Sequence, residues 1–234
     1  MPSTKNRTGG GSDAIPIPGI QLGVMRVHIK GLSDLIVHAW SEKAKREMAD
    51  KQQHIATAPR GAKVPENDFE ACKYKDDHGR DCLLACAIKK AIVAAARVDD
   101  TKKMTELRQS IFVRGERIPI EYSECEMRED MVRISGKADV RYRPAYKNWS
   151  ATIEIEWLIS QLSAGQVLNL LQLAGFSVGI HDWRPEKSGE FGRFAPVSAE
   201  ALGETAAMLE KQTQEKSAPV AAEAKPSKRR RVAT

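Results

Sequence analysis

The sequence predicts an α+β fold, an antiparallel sheet covered on one face by two helices and interrupted by large insertions. Three observations predict it. Apolar and polar residues alternate at 24–30, 131–143 and 150–158, the pattern of half-buried strands. Apolar residues recur at helical spacing at 81–97 and 163–174. The order is strand, insertion, helix, excursion, strand, turn, strand, helix, strand. Without the insertions this is the split β-α-β pattern of the ferredoxin-like fold, with the sheet's second face open for a ligand.

Residues 1–20, rich in Gly, Ser, Thr and Pro, are expected to be a disordered lead-in. A single domain at 21–197 follows, with insertions at about 41–80 and 100–131. The first strand ends at Gly31. Ser41 caps a helix through Gln53. Residues 54–80, broken by Pro59, Gly61, Pro65 and Gly79, read as irregular. Asp81 to Arg97 is a helix, with Asp81 at its N-terminus and Leu83, Ile88, Ala91, Ile92 and Ala95 on one stripe. Residues 100–131 read as a protruding, partly strand-like excursion. Met131–Arg143 is a strand, Pro144–Asn148 a turn, and Ser150–Leu158 a strand burying Ala151, Ile153, Ile155 and Trp157. Ser163 caps a helix that Gly175 ends. Short strands at Phe176–Ile180 and Gly192–Val197 lead to a C-terminal helix at 198–216, then a disordered basic tail at 217–234.

The totals exclude several classes. Of the net charge of +6, +4 lies in residues 217–234, so global charge says little about the domain's partners. Four cysteines do not make a disulfide framework, and no apolar run approaches the ~20 residues of a membrane span. There is no secretory signal and no Gly-x-x-x-x-Gly-Lys-Ser/Thr loop. The expected setting is the cytoplasm of a bacterial host cell, without membrane and without cofactor. Cys72, His78, Cys82 and Cys86 lack the Cys-x2-Cys knuckle of a zinc site, and buried free thiols are the simpler reading.

Two basic-aromatic groups carry the chemistry. Arg141, Arg143 and Lys147 stand beside Trp149 at the expected hairpin tip. Trp183, Arg184, Lys187 and Arg193, with Phe191 and Phe194, crowd one loop. A flat ring next to a fixed cation suits stacking on bases and pairing with phosphates. The plainer alternative has Trp183 and Phe194 capping the core and Arg184 paired with Asp182 or Glu186. The tail residues Lys228, Arg229, Arg230 and Arg231 offer sequence-independent attraction to phosphates, or a solvated end. His181, beside Asp182, and His38 are the candidates for acid–base work, though no carboxylate cluster accompanies them.

The first strand, followed by Leu35-Ile36-Val37-His38 and a later helix carrying Lys90 and Arg97, resembles the layout of RAMP-type CRISPR subunits that polymerise along guide RNA. The chain is also similar to a family of uncharacterised tailed-phage and prophage proteins. That likeness rests on Leu35–His38 with Ser41–Lys45, Arg128–Ile134, Arg141–Pro144 with Trp149-Ser150, and Trp183–Phe194. It implies a phage-encoded, non-catalytic nucleic-acid-binding protein with a RAMP-like core, forming homo-oligomers along single-stranded RNA or DNA. The alternatives are a RAMP-like endoribonuclease using His181 or His38, and a protein-interaction module or anti-host factor that does not bind nucleic acid.

Overall fold

The computed structural model describes residues 19–55, 62–100, 102–134 and 136–202. Strand β1 (Leu22–Gly31) buries Met25, Val27 and Ile29 and leaves Arg26 and Lys30 exposed. The short strand β2 (Leu35–Ile36) follows, then α1 (Glu42–Gln52), whose N-cap Ser41 accepts a hydrogen bond from the Ala44 amide. Helix α2 (Pro65–Ala71) starts on a proline, where the missing N–H costs nothing. Strand β3 (Cys82–Leu84) runs directly into α3 (Ala85–Asp99), which buries Ile88, Ala91, Ile92 and Ala95. Next come α4 (Met104–Ser110), β4 (Ile111–Val113) and β5 (Arg117–Glu121). Two long strands, β6 (Glu124–Ile134) and β7 (Lys137–Lys147), form a hairpin, and β8 (Ser150–Leu158) leads to α5 (Ala164–Leu173). The last strand is β9 (Phe194–Leu202).

The larger sheet is ordered β9–β1–β8, with β4 and β5 sharing the far edge of β8 and β3 beyond β5. All these pairings are antiparallel. Helices α3 and α5 pack on one face, and their apolar residues join Val27, Ile153, Ile155 and Trp157 in one core. Among the described residues the opposite face carries no helix, but its charged side chains have partners. Arg26 pairs with Glu154 at 2.7 Å and Arg114 with Glu156 at 2.9 Å, and the bond from Arg26 holds the Glu154 carboxyl below its usual range. A smaller sheet, β2–β7–β6, stands beside it. Among the described residues no helix is long and apolar enough to cross a membrane, and no three His, Cys, Asp or Glu side chains cluster to hold a metal.

Several elements depart from expectation for identifiable reasons. Residues 82–84 pair with β5, so the helix starts at Ala85. Asp81 is buried instead, 3.1 Å from Lys75 Nζ and accepting the Tyr122 hydroxyl at 2.7 Å. Residues 54–80 contain α2, and 100–131 mostly fold back, α4 onto α3 and β4 and β5 onto the edge of β8. Met131–Arg143 is not one strand: the chain reverses between Ile134 and Lys137, with Gly136 at φ +82°, and β7 continues through the expected turn to Lys147. Phe176–Ile180 is not a strand, because a π-helical turn at Ala174–Val178 extends α5 past Gly175. A Cβ on Gly175 would sit 2.0 Å from the Phe194 carbonyl oxygen, so the glycine serves a close approach rather than a helix end. Residues 198–202 belong to β9, not to a helix. The rest of the expected helix (203–216), the lead-in up to residue 18 and the basic tail lie outside the described residues.

Candidate nucleic-acid interface

The two basic-aromatic groups meet, but around a buried ion cluster. On β7, Arg143 is 1% exposed. It donates to Asp130 on β6 at 2.9 Å and to Asp182 at 2.9 Å. Its guanidinium also lies 4.7 Å from the Trp183 ring centre. Arg128, bonded to Asp130 at 2.8 Å, covers the Trp183 and Phe191 rings from 5.2 and 4.8 Å. Arginine already stacks on Trp183, which keeps 36% of its surface exposed. Trp149 is not at a hairpin tip. It is 0% exposed, its Nε1 donates to the Ser33 carbonyl at 2.8 Å, and it offers no face to a base. The expectation failed there because Trp149 joins two sheets rather than two strands of one hairpin.

The other cations divide. Lys147 is held by Glu124 and Glu126. Arg184 pairs with Glu186 at 2.8 Å and donates to the His181 carbonyl at 2.9 Å, while Phe194 is wholly buried, so the plainer alternative describes both. Arg193 lies 4.8 Å from the ring of exposed Phe176. The side chains of Arg141 and Lys187 make no hydrogen bond or ion pair among the described residues. Lys228, Arg229, Arg230 and Arg231 lie outside them.

Neither histidine is set up as an acid or base at an open surface. Burial pushes the His181 imidazole down to about 4, its Nε2 is enclosed without a partner, and its ring lies 5.5 Å from Tyr74. His38 is also shifted down by burial, and its Nδ1 stands 3.2 Å from the Cys72 sulfur. Burial pushes that thiol up to about 11, so it stays protonated rather than becoming a thiolate nucleophile.

A cleft of about 430 Å³ between α3, α4 and the 184–187 loop is strongly cationic. Lys89, Lys90, Arg97, Arg108, Arg184 and Lys187 line it against the single carboxylate of Glu186. Glu186 is taken by Arg184 at 2.8 Å and Arg97 at 3.4 Å. Lys89 sits 3.7 Å over the Phe112 ring. Lys90, Arg108 and Lys187 form no close ion pair among the described residues, although Lys187 lies near enough to Glu186 to help hold its carboxyl below the usual range. Desolvated walls and unbalanced positive charge concentrate anions in such a cleft.

With this geometry in hand, the chain can be set beside solved structures. A chain of the type III-B Cmr-beta complex bound to cognate target RNA superposes with a TM-score of 0.51 at 7% identity, over 77% of this chain and 61% of that one. The likeness is one of fold. The chain thus resembles RAMP subunits at the level of fold, while spanning about three fifths of that Cmr chain's length. Cmr6 from Pyrococcus furiosus aligns over 76% of this chain with a TM-score of 0.40 at 11% identity. No protein-family profile and no curated sequence matches the chain.

Lys89, Lys90, Arg97 and Arg108 are the interface residues that the sequence reading did not single out as a site. A signal existed: Lys90 and Arg97, seven apart, share one helical face off the apolar stripe. Arg108 carried none, because α4 itself was not expected.

Proposed function

We propose that this chain is a non-catalytic, phage-encoded protein with a RAMP-like, ferredoxin-type core that binds single-stranded RNA or DNA and self-associates along the strand. The observation that carries the reading is the cleft whose six cations face one carboxylate, with Lys90, Arg108 and Lys187 in no close ion pair among the described residues. Phosphates are the ligands that satisfy several converging cations at once. Trp183 and Phe191, each crossed by arginine, flank the 184–187 loop in sequence and carry rings suited to bases. The strand order β9–β1–β8–β5, with α3 and α5 on one face, supports the ferredoxin-type core. The RNA-bound Cmr complex favours RNA over DNA. The β6–β7 hairpin, with Met131, Arg133 and Ala138 exposed toward its end, is the element suited to reach a neighbouring copy. Enclosed His181 and the protonated Cys72 beside His38 support the non-catalytic reading.

The test is binding to fluorescent oligouridylate and oligothymidylate at about 50 and 200 mM salt. The proteins compared are the full chain, a chain ending at Lys216, and Lys90→Ala/Lys187→Ala. The shortened chain should keep salt-dependent binding. The double substitution should weaken it at least tenfold and flatten the log–log salt slope by about 1.4, the loss of two phosphate contacts on a single strand. Binding that disappears with the tail alone, or a full chain that binds neither oligonucleotide, refutes the proposal.

A further inference from the structure

A second cavity, of about 280 Å³, lies on the other side of the ion cluster, between the segment leading into α1, the helix α2 and the edge of β7. Three of its features are unspent. The first is backbone. In an antiparallel ladder, successive residues turn their N–H and C=O groups alternately toward one neighbouring strand and the other. On β7, the Pro144 carbonyl accepts from the Val37 amide at 3.3 Å and the Val140 carbonyl from Lys63 Nζ at 2.6 Å, so even-numbered residues face away from β6. Pro144, with no N–H to give, fits that parity. Tyr142 lies between them, so its N–H and C=O face the cavity, where neither has a partner among the described residues. The second feature is Trp40, which lines the cavity and stands 54% exposed, an expensive posture for an indole without a ligand. The third is Arg141, which lines it without a hydrogen bond or ion pair among the described residues. Lys63, tied to Asp139 at 2.5 Å, closes the rim.

A donor and an acceptor side by side, a free aromatic ring and an unpaired guanidinium match the three parts of a nucleotide: polar base edge, base face and phosphate. We propose that this cavity holds one nucleotide unit of the bound strand, its base edge on the Tyr142 backbone, its face against Trp40 and its phosphate at Arg141. The inference rests on the strand-binding reading above and adds a position at which that strand is gripped base by base.

The experiment uses the full chain with a 4-thiouridine-substituted oligouridylate, irradiated and mapped by mass spectrometry, with free uridine monophosphate as a second ligand. Cross-links are expected in 38–44 or 139–142 as well as in 183–193. Trp40→Ala should weaken oligonucleotide binding about tenfold, the weight of one stacked base, and abolish the first cross-link while sparing the second. Its melting temperature should stay at the wild-type value, because Trp40 is a surface residue. Cross-links confined to 183–193 with unchanged Trp40→Ala affinity overturn the inference and leave the strand-binding reading standing. That is also the pattern expected if the free β7 edge takes an extended peptide instead. Trp40-dependent binding of uridine monophosphate without any oligonucleotide binding keeps the nucleotide site and overturns the strand reading. Binding of neither overturns both.

Discussion

Replacing Arg143 by alanine should unfold the protein sooner without touching an exposed surface. Arg143 is 1% exposed and its two terminal nitrogens each hold a carboxylate at 2.9 Å. Removing one member of a buried pair costs about 3–5 kcal/mol, because the other charge is left desolvated. Two details place the effect at the lower end. Asp130 keeps Arg128 at 2.8 Å, and the Asp182 side chain is 37% exposed, where an ion pair is worth ~0–1 kcal/mol. The loss of the guanidinium against Trp183 acts in the same direction. We expect about 3 kcal/mol, which for a domain of this size lowers Tm by roughly 6–12 °C. Urea denaturation followed by circular dichroism gives the first figure and a thermal scan the second. The double substitution Arg143→Met/Asp130→Leu should recover most of the loss, since an apolar pair needs no desolvation of charge. A melting temperature for Arg143→Ala within about 2 °C of wild type would refute the reasoning. The result also matters for binding assays: an Arg143 variant that fails to bind reports on the fold, whereas Lys90 and Lys187 variants report on the surface.

Three other predictions follow from described contacts. His181 titrates at about 4 in the folded chain against about 6.5 when unfolded, so its contribution is complete above pH ~6.5 and is lost as pH falls toward 4; His181→Phe should remove that part of the slope in pH-dependent denaturation, and an unchanged slope refutes it. At pH ~8, iodoacetamide should label exposed Cys86 first, while Cys72 and Cys82, both pushed up to about 11 by burial, react slowly until the protein is denatured; equal rates by mass spectrometry would contradict the burial. Gly175→Ala drives a Cβ to 2.0 Å from the Phe194 carbonyl and should cost about 1–3 kcal/mol by urea denaturation, with no loss at all as the contrary outcome.

The sequence was most informative where one period ran through one element. Ala151, Ile153, Ile155 and Trp157 face the core as their alternation required, and Ser163 caps α5 with Gln166 completing the reciprocal bond. The β6–β7 hairpin was hidden by its own regularity. Val132 and Ile134 share even numbering with Ala138 and Val140, so the alternation carries across the reversal between Ile134 and Lys137 unbroken. Only Gly136 marked the turn. Pro144 and Trp149 misled in the opposite sense, because a proline facing away from β6 can stay inside a strand and an aromatic after a turn can belong to the core. The site shows the same division. Arg184 and Lys187 were found from local composition, but the cleft they complete depends on α4 meeting α3, a long-range contact that no window of sequence displays. Arg143 shows that a cation beside aromatics can serve the interior as readily as a ligand.

The latch at Arg143 sets how finely the hairpin is aimed. Six residues of β7 separate it from Lys137, a reach of about 20 Å at ~3.3 Å per residue. Over that arm a rotation of only ~10° at the latch displaces the tip by about 3.5 Å, approaching the spacing between neighbouring strands. Trp149, anchored to the Ser33 carbonyl at 2.8 Å, is the pivot just beyond it. The self-association proposed above would need tolerance well below that figure, and a buried charge cluster at the fulcrum sets it from inside the fold.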